Sequence, residues 1–499
     1  MSLDSRSSEA GRKAESVLLE KYVSGNDEAV EIEIIRSQED SEILYRVREP
    51  PLTSQEIGEL DSLKTEINNL LPDLLGNGEH ASFDLETVLD SFVSQRKPWI
   101  VGESLKRIRY YLIRDFKGYG LIDPLVKDQR IEDISCDGPD MPIFVYHSDY
   151  GSIKTNLNFK GTENLDSYII RLAQISSKSV SINSPILDSI TRDGHRVQAV
   201  YGSEISSRGP VFTLRLFREK PFTPVDIIKS GTASTEMMAY MWFMIESYNS
   251  ALIVGAPGAG KTSTLNALLL FAPDNTKIFS IEETRELNIP HENWVAAETR
   301  EKISIEAQSG VQRLNLFDLV TVAMRQRPTY IVVGEVRGKE TYALFQAMAT
   351  GHTTYSTIHA DSMESLLNRL ENEPMNIPRV LVSYLNIVIF INFIRSEGKL
   401  VRRITEIDEI AGIDGKTNEI LYNRVFWYDP DTDGFVFSGA SRLYTRVQEQ
   451  RNIDPSDLRK EIDHRKAMLS SMLESGTTEI QEVSKAIKIR QMQWLRGGI

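Results

Sequence analysis

The chain has 499 residues, 41% of them hydrophobic and 26% charged, the balance of a globular protein long enough for about three domains. Its formal net charge is −14, concentrated in residues 1–100, where 10 Lys/Arg face 21 Asp/Glu; that acidity argues against nucleic acid or anionic lipid docking there. The single cysteine, Cys136, excludes an internal disulfide and a cysteine-based zinc cluster, and fits a reducing cytoplasm.

Residues 1–15 are polar and rich in Ser, Glu and Arg, so they read as a disordered tail without a secretory signal. Apolar alternation in Val30–Ile34 and again in Ile43–Val47 predicts a β-hairpin over 28–48. Pro50 and Pro51 break the chain, and Thr53 with Glu56 forms a capping box for a helix reaching about Leu71. A further helix is expected from Glu103 to Asp115, which makes 1–115 an acidic N-terminal extension of hairpin plus helices. Short strands are expected at Gly120–Val126, Ile131–Ile134, Ile143–Tyr146, Gly151–Lys154, Arg196–Tyr201 and Phe212–Phe217, around one helix over Asn164–Ser176. That is an α+β domain over 116–221, with Pro221 and Pro224 marking the linker.

Residues 222–395 alternate helix with apolar strand, the pattern of a parallel sheet covered on both faces. Strands are expected at Leu252–Val254, Ile278–Ile281, Tyr330–Val333, Tyr355–Ile358 and Ile387–Ile391. The richest apolar stretch, Val380–Ile394, is interrupted by Ser383, Asn386 and Asn392 and falls short of the roughly 18 residues a spanning helix needs. After Arg395 come β segments at 401–410, 419–428 and 435–438 and two helices, 455–474 and 479–495. Asp429–Gly434 imitates the start of a Ca²⁺ loop, but its twelfth position is Ala440 rather than Glu, so a plain turn is expected.

One stretch organises the 222–395 region. Gly255, Ala256, Pro257, Gly258, Ala259, Gly260, Lys261 and Thr262 spell G-x-x-x-x-G-K-T between an apolar strand and a helix opened by Ser263. Glycines let successive backbone N–H groups wrap an anion at a helix N-terminus. Lys261 supplies positive charge to the outer phosphates, and the Thr262 hydroxyl can ligate Mg²⁺. The sequence therefore predicts a nucleoside triphosphate site. Such a site also needs an acid at a neighbouring strand end, and Glu335 comes just after the apolar run Ile331–Val333. Glu282 and Glu283 end a second strand, where mutual repulsion makes one of them a candidate general base. His352 ends a helix and His359 ends a strand; a histidine beside phosphate can report its terminal group.

Four blocks in this order resemble the secretion ATPase superfamily, which powers type II and type IV secretion, pilus assembly and the archaeal swimming filament. They are the Gly255–Thr262 loop, Ile281–Leu287, Met324–Pro328 with Val333–Arg337, and Thr350–His352 with Ser356–Ala360. Gly118–Asp123 with Asp133–Ser135, and Asp193–Val197, resemble the family's N-terminal domain. The resemblance implies an α/β chain: a C-terminal RecA-like P-loop ATPase domain preceded by an α+β N-terminal domain, with ATP between them. It implies Glu282 as the water-activating base, Glu335 at Mg²⁺ or the water, and His359, less directly His352, near the γ-phosphate. It also implies Arg196 and Arg215 as arginines brought to the nucleotide, and Arg325 as a further basic contact. Glu283 stands where the family usually has Asp, which leaves open which carboxylate is the base. The absence of the family's four-cysteine zinc module, the acidic extension and the β-rich tail over 396–499 make the chain resemble the archaeal branch.

The expected protein is thus a cytoplasmic homo-hexamer that hydrolyses Mg²⁺-ATP at the inner membrane face, docked on a polytopic membrane platform protein. Two alternatives stand beside it. A RecA-like motor acting directly on nucleic acid would need a basic, aromatic-interleaved surface, which this sequence lacks. A platform that binds nucleotide without turnover would have no use for the carboxylate set.

Overall fold

The computed structural model describes residues 16–24, 29–38, 41–75, 85–217, 220–299, 314–396 and 399–496; the tail expected over 1–15 lies outside them. The chain divides into two units, Met1–Phe217 and Arg218–Ile499. Among the described residues no helix is long and apolar enough to cross a membrane.

The first unit opens with β1 (Ser16–Val23), β2 (Glu31–Ser37) and β3 (Ile43–Arg48), then α1 (Ser54–Leu75), α2 (Leu85–Arg96), α3 (Gly102–Phe116) and the short α4 (Asp123–Val126). It continues through β4 (Ile131–Cys136), β5 (Pro142–His147), β6 (Gly151–Asn158), α5 (Thr162–Ile175), β7 (Ile186–Ile190), β8 (Arg196–Val200) and β9 (Val211–Arg215). Among the described residues the strands form one sheet in the order β1-β2-β3-β6-β5-β4-β9-β8-β7. The hairpin expected over 28–48 is β2–β3, in a register that opposes Ile32 to Val47 and Ile34 to Tyr45. All four side chains are buried in one core, and a one-residue slip would turn them outward. Residues 1–115 do not stand apart from the α+β domain, because β3 pairs in parallel with β6 through Leu44↔Lys154 and Tyr45↔Thr155. The capping box forms as read: the Thr53 N–H donates to the Glu56 carboxylate at 2.8 Å, and the Glu56 N–H to the Thr53 hydroxyl at 3.3 Å. The strand expected at Gly120–Val126 is helical instead. Pro124 sits in the first turn of α4, where its missing N–H has no partner to lose.

The second unit contains α6 (Pro224–Lys229), α7 (Thr235–Glu246), β10 (Ala251–Val254), α8 (Lys261–Leu269), β11 (Ile278–Glu282), β12 (Trp294–Glu298), α9 (Leu316–Arg325), β13 (Tyr330–Val333), α10 (Glu340–Ala349), β14 (Thr353–Ile358), α11 (Met363–Glu371), α12 (Arg379–Val382) and β15 (Ile387–Ser396). After these come β16 (Lys399–Ile413), β17 (Ile420–Asp429), β18 (Gly434–Phe437), α13 (Arg442–Arg451), α14 (Pro455–Glu474) and α15 (Ile480–Arg496). The strand order is β12-β11-β13-β14-β10-β15-β16-β17-β18. The first six pair in parallel and the rest antiparallel. The phosphate-loop strand β10 is thus separated from β13 by β14, the RecA-like arrangement. Ile253, Val332 and Tyr355 face one apolar cluster while Leu252, Val254, Ile331 and Val333 face another. Burial on both faces is why these strands read as unbroken apolar runs. Asp429–Gly434 closes the β17–β18 hairpin, its Asp429 carboxylate accepting the Asp431 N–H at 3.1 Å.

The last helices are pinned to this unit by a buried ionic knot. The side chain of Arg465 on α14 is wholly buried, with its guanidinium 5.0 Å from the Trp242 ring and 5.2 Å from the Phe243 ring of α7. It pairs with Glu246 at 2.6 Å and Glu461 at 2.8 Å, and Glu461 also takes Arg490 of α15.

Candidate functional site

At the carboxyl end of β10 the chain turns through the glycine loop and enters α8. Gly258 and Gly260 lie at φ +73° and +94°, a region that side chains rarely adopt. A Cβ on Gly255 would stand 2.2 Å from the Ile391 carbonyl oxygen, so β15 leaves room for glycine alone. Gly260 caps α8, which places the helix N-terminus and its unpaired N–H groups at the loop. The Lys261 ammonium is nearly buried. It donates to the Ala256 carbonyl at 3.0 Å and contacts His359 Nδ1 at 3.1 Å.

His359, just beyond β14, links the lysine to the acid expected on β13. Its Nε2 lies 3.2 Å from Glu335 Oε1. An ammonium can only donate, so Nδ1 accepts and Nε2 carries the proton toward Glu335. Burial and the Lys261 charge hold this imidazole below the usual histidine pKa, against the opposing pull of Glu335. Lys261, His359 and Glu335 therefore form a contiguous chain of charge at one edge of the sheet. The Thr262 hydroxyl opens α8 at the same edge. Together with Glu335 it offers the hard oxygen donors that Mg²⁺ takes.

Glu282, which ends β11, and Glu283 just past it part company. Glu282 is buried beside Gly334, where a Cβ would lie 3.1 Å from its Cγ. Its Oε1 accepts the Glu286 and Leu287 N–H groups at 2.9 and 3.0 Å. Burial outweighs those hydrogen bonds and pushes its pKa to about 7. Glu283 is partly exposed and ion-paired with Arg337. One carboxylate is thus poised to exchange a proton near neutrality, and the other is held by a cation.

Two expected residues of this unit, His352 and Arg325, are not brought to this edge. His352 immediately precedes β14, whereas His359 lies just past its end. The strand between them spans roughly 20 Å, so His352 lies at the amino edge, away from the loop of its own chain. Arg325 ends α9, exposed, and the turn after it leads into the amino end of β13, where the Thr329 N–H bonds the Lys277 carbonyl at 2.9 Å. Arg196 and Arg215 belong to the first unit, directly opposite each other on β8 and β9. They pair with Asp188 at 3.5 Å and Asp133 at 3.2 Å. Like charges set opposite each other across strands are unfavourable, and these two carboxylates offset that repulsion.

Two contacts had no motif to announce them, and a third falls within a block already named. Arg402 of β16 donates Nε to the Gly258 carbonyl at 3.1 Å. Arg369 of α11 donates to the His359 carbonyl at 3.0 Å, and Arg337 neutralises Glu283. Arg337 closes the Val333–Arg337 block, whereas Arg402 and Arg369 lie in none.

The family model described as type II/IV secretion system protein matches residues 125–417. An uncharacterized protein of Methanocaldococcus jannaschii is 35% identical over 399 residues, 79% of this chain and 70% of that protein. Another from the same organism is 40% identical over 268 residues, 54% of this chain and 98% of its own length. Among solved structures, the Legionella pneumophila ATPase DotB is similar at 18% identity and a TM-score of 0.38, over 72% of this chain and 91% of that one.

Proposed function

This chain belongs to the type II/IV secretion system protein family, and from that premise we propose that it is an ATP hydrolase working as a homo-hexamer. Its turnover of Mg²⁺-ATP drives secretion, or assembly of a pilus or archaellum-type filament, from the cytoplasmic face of a membrane where a polytopic platform protein holds it. The observation that carries the reading is the convergence of Lys261, His359, Glu335 and buried Glu282 on the edge that bears the phosphate loop.

In this reading the loop N–H groups and Lys261 hold the β- and γ-phosphates, and Thr262 with Glu335 holds the metal. The metal these two residues would hold supplies positive charge against the charge developing on the phosphate. Glu282 takes the proton of the attacking water; Glu283, committed to Arg337, does not. His359 lies between Lys261 and Glu335 and so registers the terminal phosphate. Arg196 and Arg215 act on the same phosphate, and its loss removes contacts that favour one state of the protein over another. That difference is what allows hydrolysis to drive movement. His352 and Arg325, on the far edge, serve the nucleotide of a neighbouring copy in the ring.

Phosphate release by the purified chain, with and without Lys261→Ala or Glu335→Gln, tests the site. Turnover near wild type in either variant overturns it. Strong stimulation by single-stranded DNA that falls steeply with salt would instead favour the nucleic-acid motor.

A further inference from the structure

We propose that Arg402 is a positioning residue for the phosphate loop, holding the Gly258–Ala259 peptide in the orientation that triphosphate binding requires. The inference rests on the ATPase reading but concerns a residue of the antiparallel extension, outside the loop and its strand-end acids.

Arg402 stands opposite Phe393 across the β15–β16 pair. Its guanidinium lies 5.2 Å from the centre of that ring, a stacking contact that holds a long side chain in one direction. From there Nε donates to the Gly258 carbonyl at 3.1 Å. The stem packs on the loop itself, since a Cβ on Gly260 would come within 3.2 Å of Arg402 Cδ. The base of this arm is also held. Arg403 is buried and donates to Asp433 at 3.3 Å and to the Ser230 carbonyl at 3.3 Å.

In a planar trans peptide the C=O and the next N–H point in opposite directions. With the Gly258 carbonyl turned outward onto Arg402, the Ala259 N–H faces inward. It there donates to the Ala256 carbonyl at 3.3 Å, the acceptor that Lys261 also reaches at 3.0 Å. Gly258, at φ +73°, has no side chain to resist rotation of that peptide. A flip would aim a carbonyl, rather than an N–H, at an anion. Lysine cannot replace this arm, because it lacks both the Nε donor on the stem and the planar head that stacks on Phe393.

The test uses the full chain, a fluorescent ATP analogue for binding, and phosphate release for turnover. Arg402→Ala should raise Kd and KM for ATP about tenfold, the scale of one hydrogen bond from a charged donor, with a smaller change in kcat. Arg402→Lys keeps the charge and most of the stem, and therefore the packing on Gly260, and should lose nearly as much affinity. Phe393→Leu should give an intermediate loss. Wild-type Kd and KM in Arg402→Lys overturn the proposal even if Arg402→Ala misfolds. A wild-type chain that binds no analogue defeats the ATPase reading and the proposal with it, whereas binding by wild type and both Arg402 variants alike defeats the proposal alone.

Discussion

The two edges of the parallel sheet carry similar residues and do different things. At the carboxyl edge Lys261, His359, Glu335 and Glu282 lie on neighbouring strand ends, and the imidazole joins a cation to an anion. At the amino edge Arg325 and His352, drawn from the same sequence blocks, reach nothing of that cluster. Strand direction makes the difference. In a parallel sheet every strand delivers its last residue to one edge and its first to the other, so a histidine before β14 and one after it are separated by the length of the strand. Open α/β sheets accordingly bind ligands beyond the carboxyl ends of their strands.

The strongest attempt to break this contrast is removal of carboxyl-edge groups. Lys261→Ala and Glu335→Gln should each lower kcat by at least about a hundredfold, as loss of preorganised charge does elsewhere, measured as phosphate release. Next, Glu282→Gln should cost about a hundredfold in kcat while Glu283→Gln stays within about threefold. Wild-type kcat/KM should also rise with pH through about 7, where Glu282 loses its proton. Equal effects of the two substitutions would abolish the distinction between these carboxylates.

A smaller effect concerns stability. The folded-state pKa of Glu282 is raised from 4.5 to about 7, so the native state binds more protons than the unfolded chain between those values. Its contribution is fully present below pH 4.5 and is lost as pH rises through about 7. Glu282→Gln should therefore melt higher than wild type at pH 8, by a few degrees, with the gap closing by pH 5. The smallest effect belongs to the amino edge. His352→Ala and Arg325→Ala should leave the nucleotide affinity of the dilute chain within about twofold, and lower turnover only when copies assemble. A large loss of affinity in the unassembled chain would contradict their placement.

How much of this was legible depended on how local the signal was. The glycine loop announces itself because its geometry is built from consecutive residues, and so does the Thr53–Glu56 cap. The strand β13 and its terminal Glu335 were readable because an apolar run ending in an acid is a local pattern. Helix α7 escaped because Met237–Ile245 is buried on every side, which erases the period on which helix recognition depends. The β3–β6 pairing joins Leu44 to Lys154, and no local pattern specifies so distant a partner. Arg402 was invisible for the same reason. It is one polar residue in an alternating strand, and its role comes from the glycine that lies across the sheet.

The ionic knot around Arg465 determines where this chain can be cut. Shortening it before α14 would remove the helix that covers α7, baring Trp242 and Phe243 and taking from Glu246 the guanidinium it pairs with. A broad apolar face newly exposed to water is an aggregation surface. Such a trimmed polypeptide should collect in inclusion bodies rather than yield a minimal catalytic core, so biochemists seeking a smaller working version must spare the final two helices.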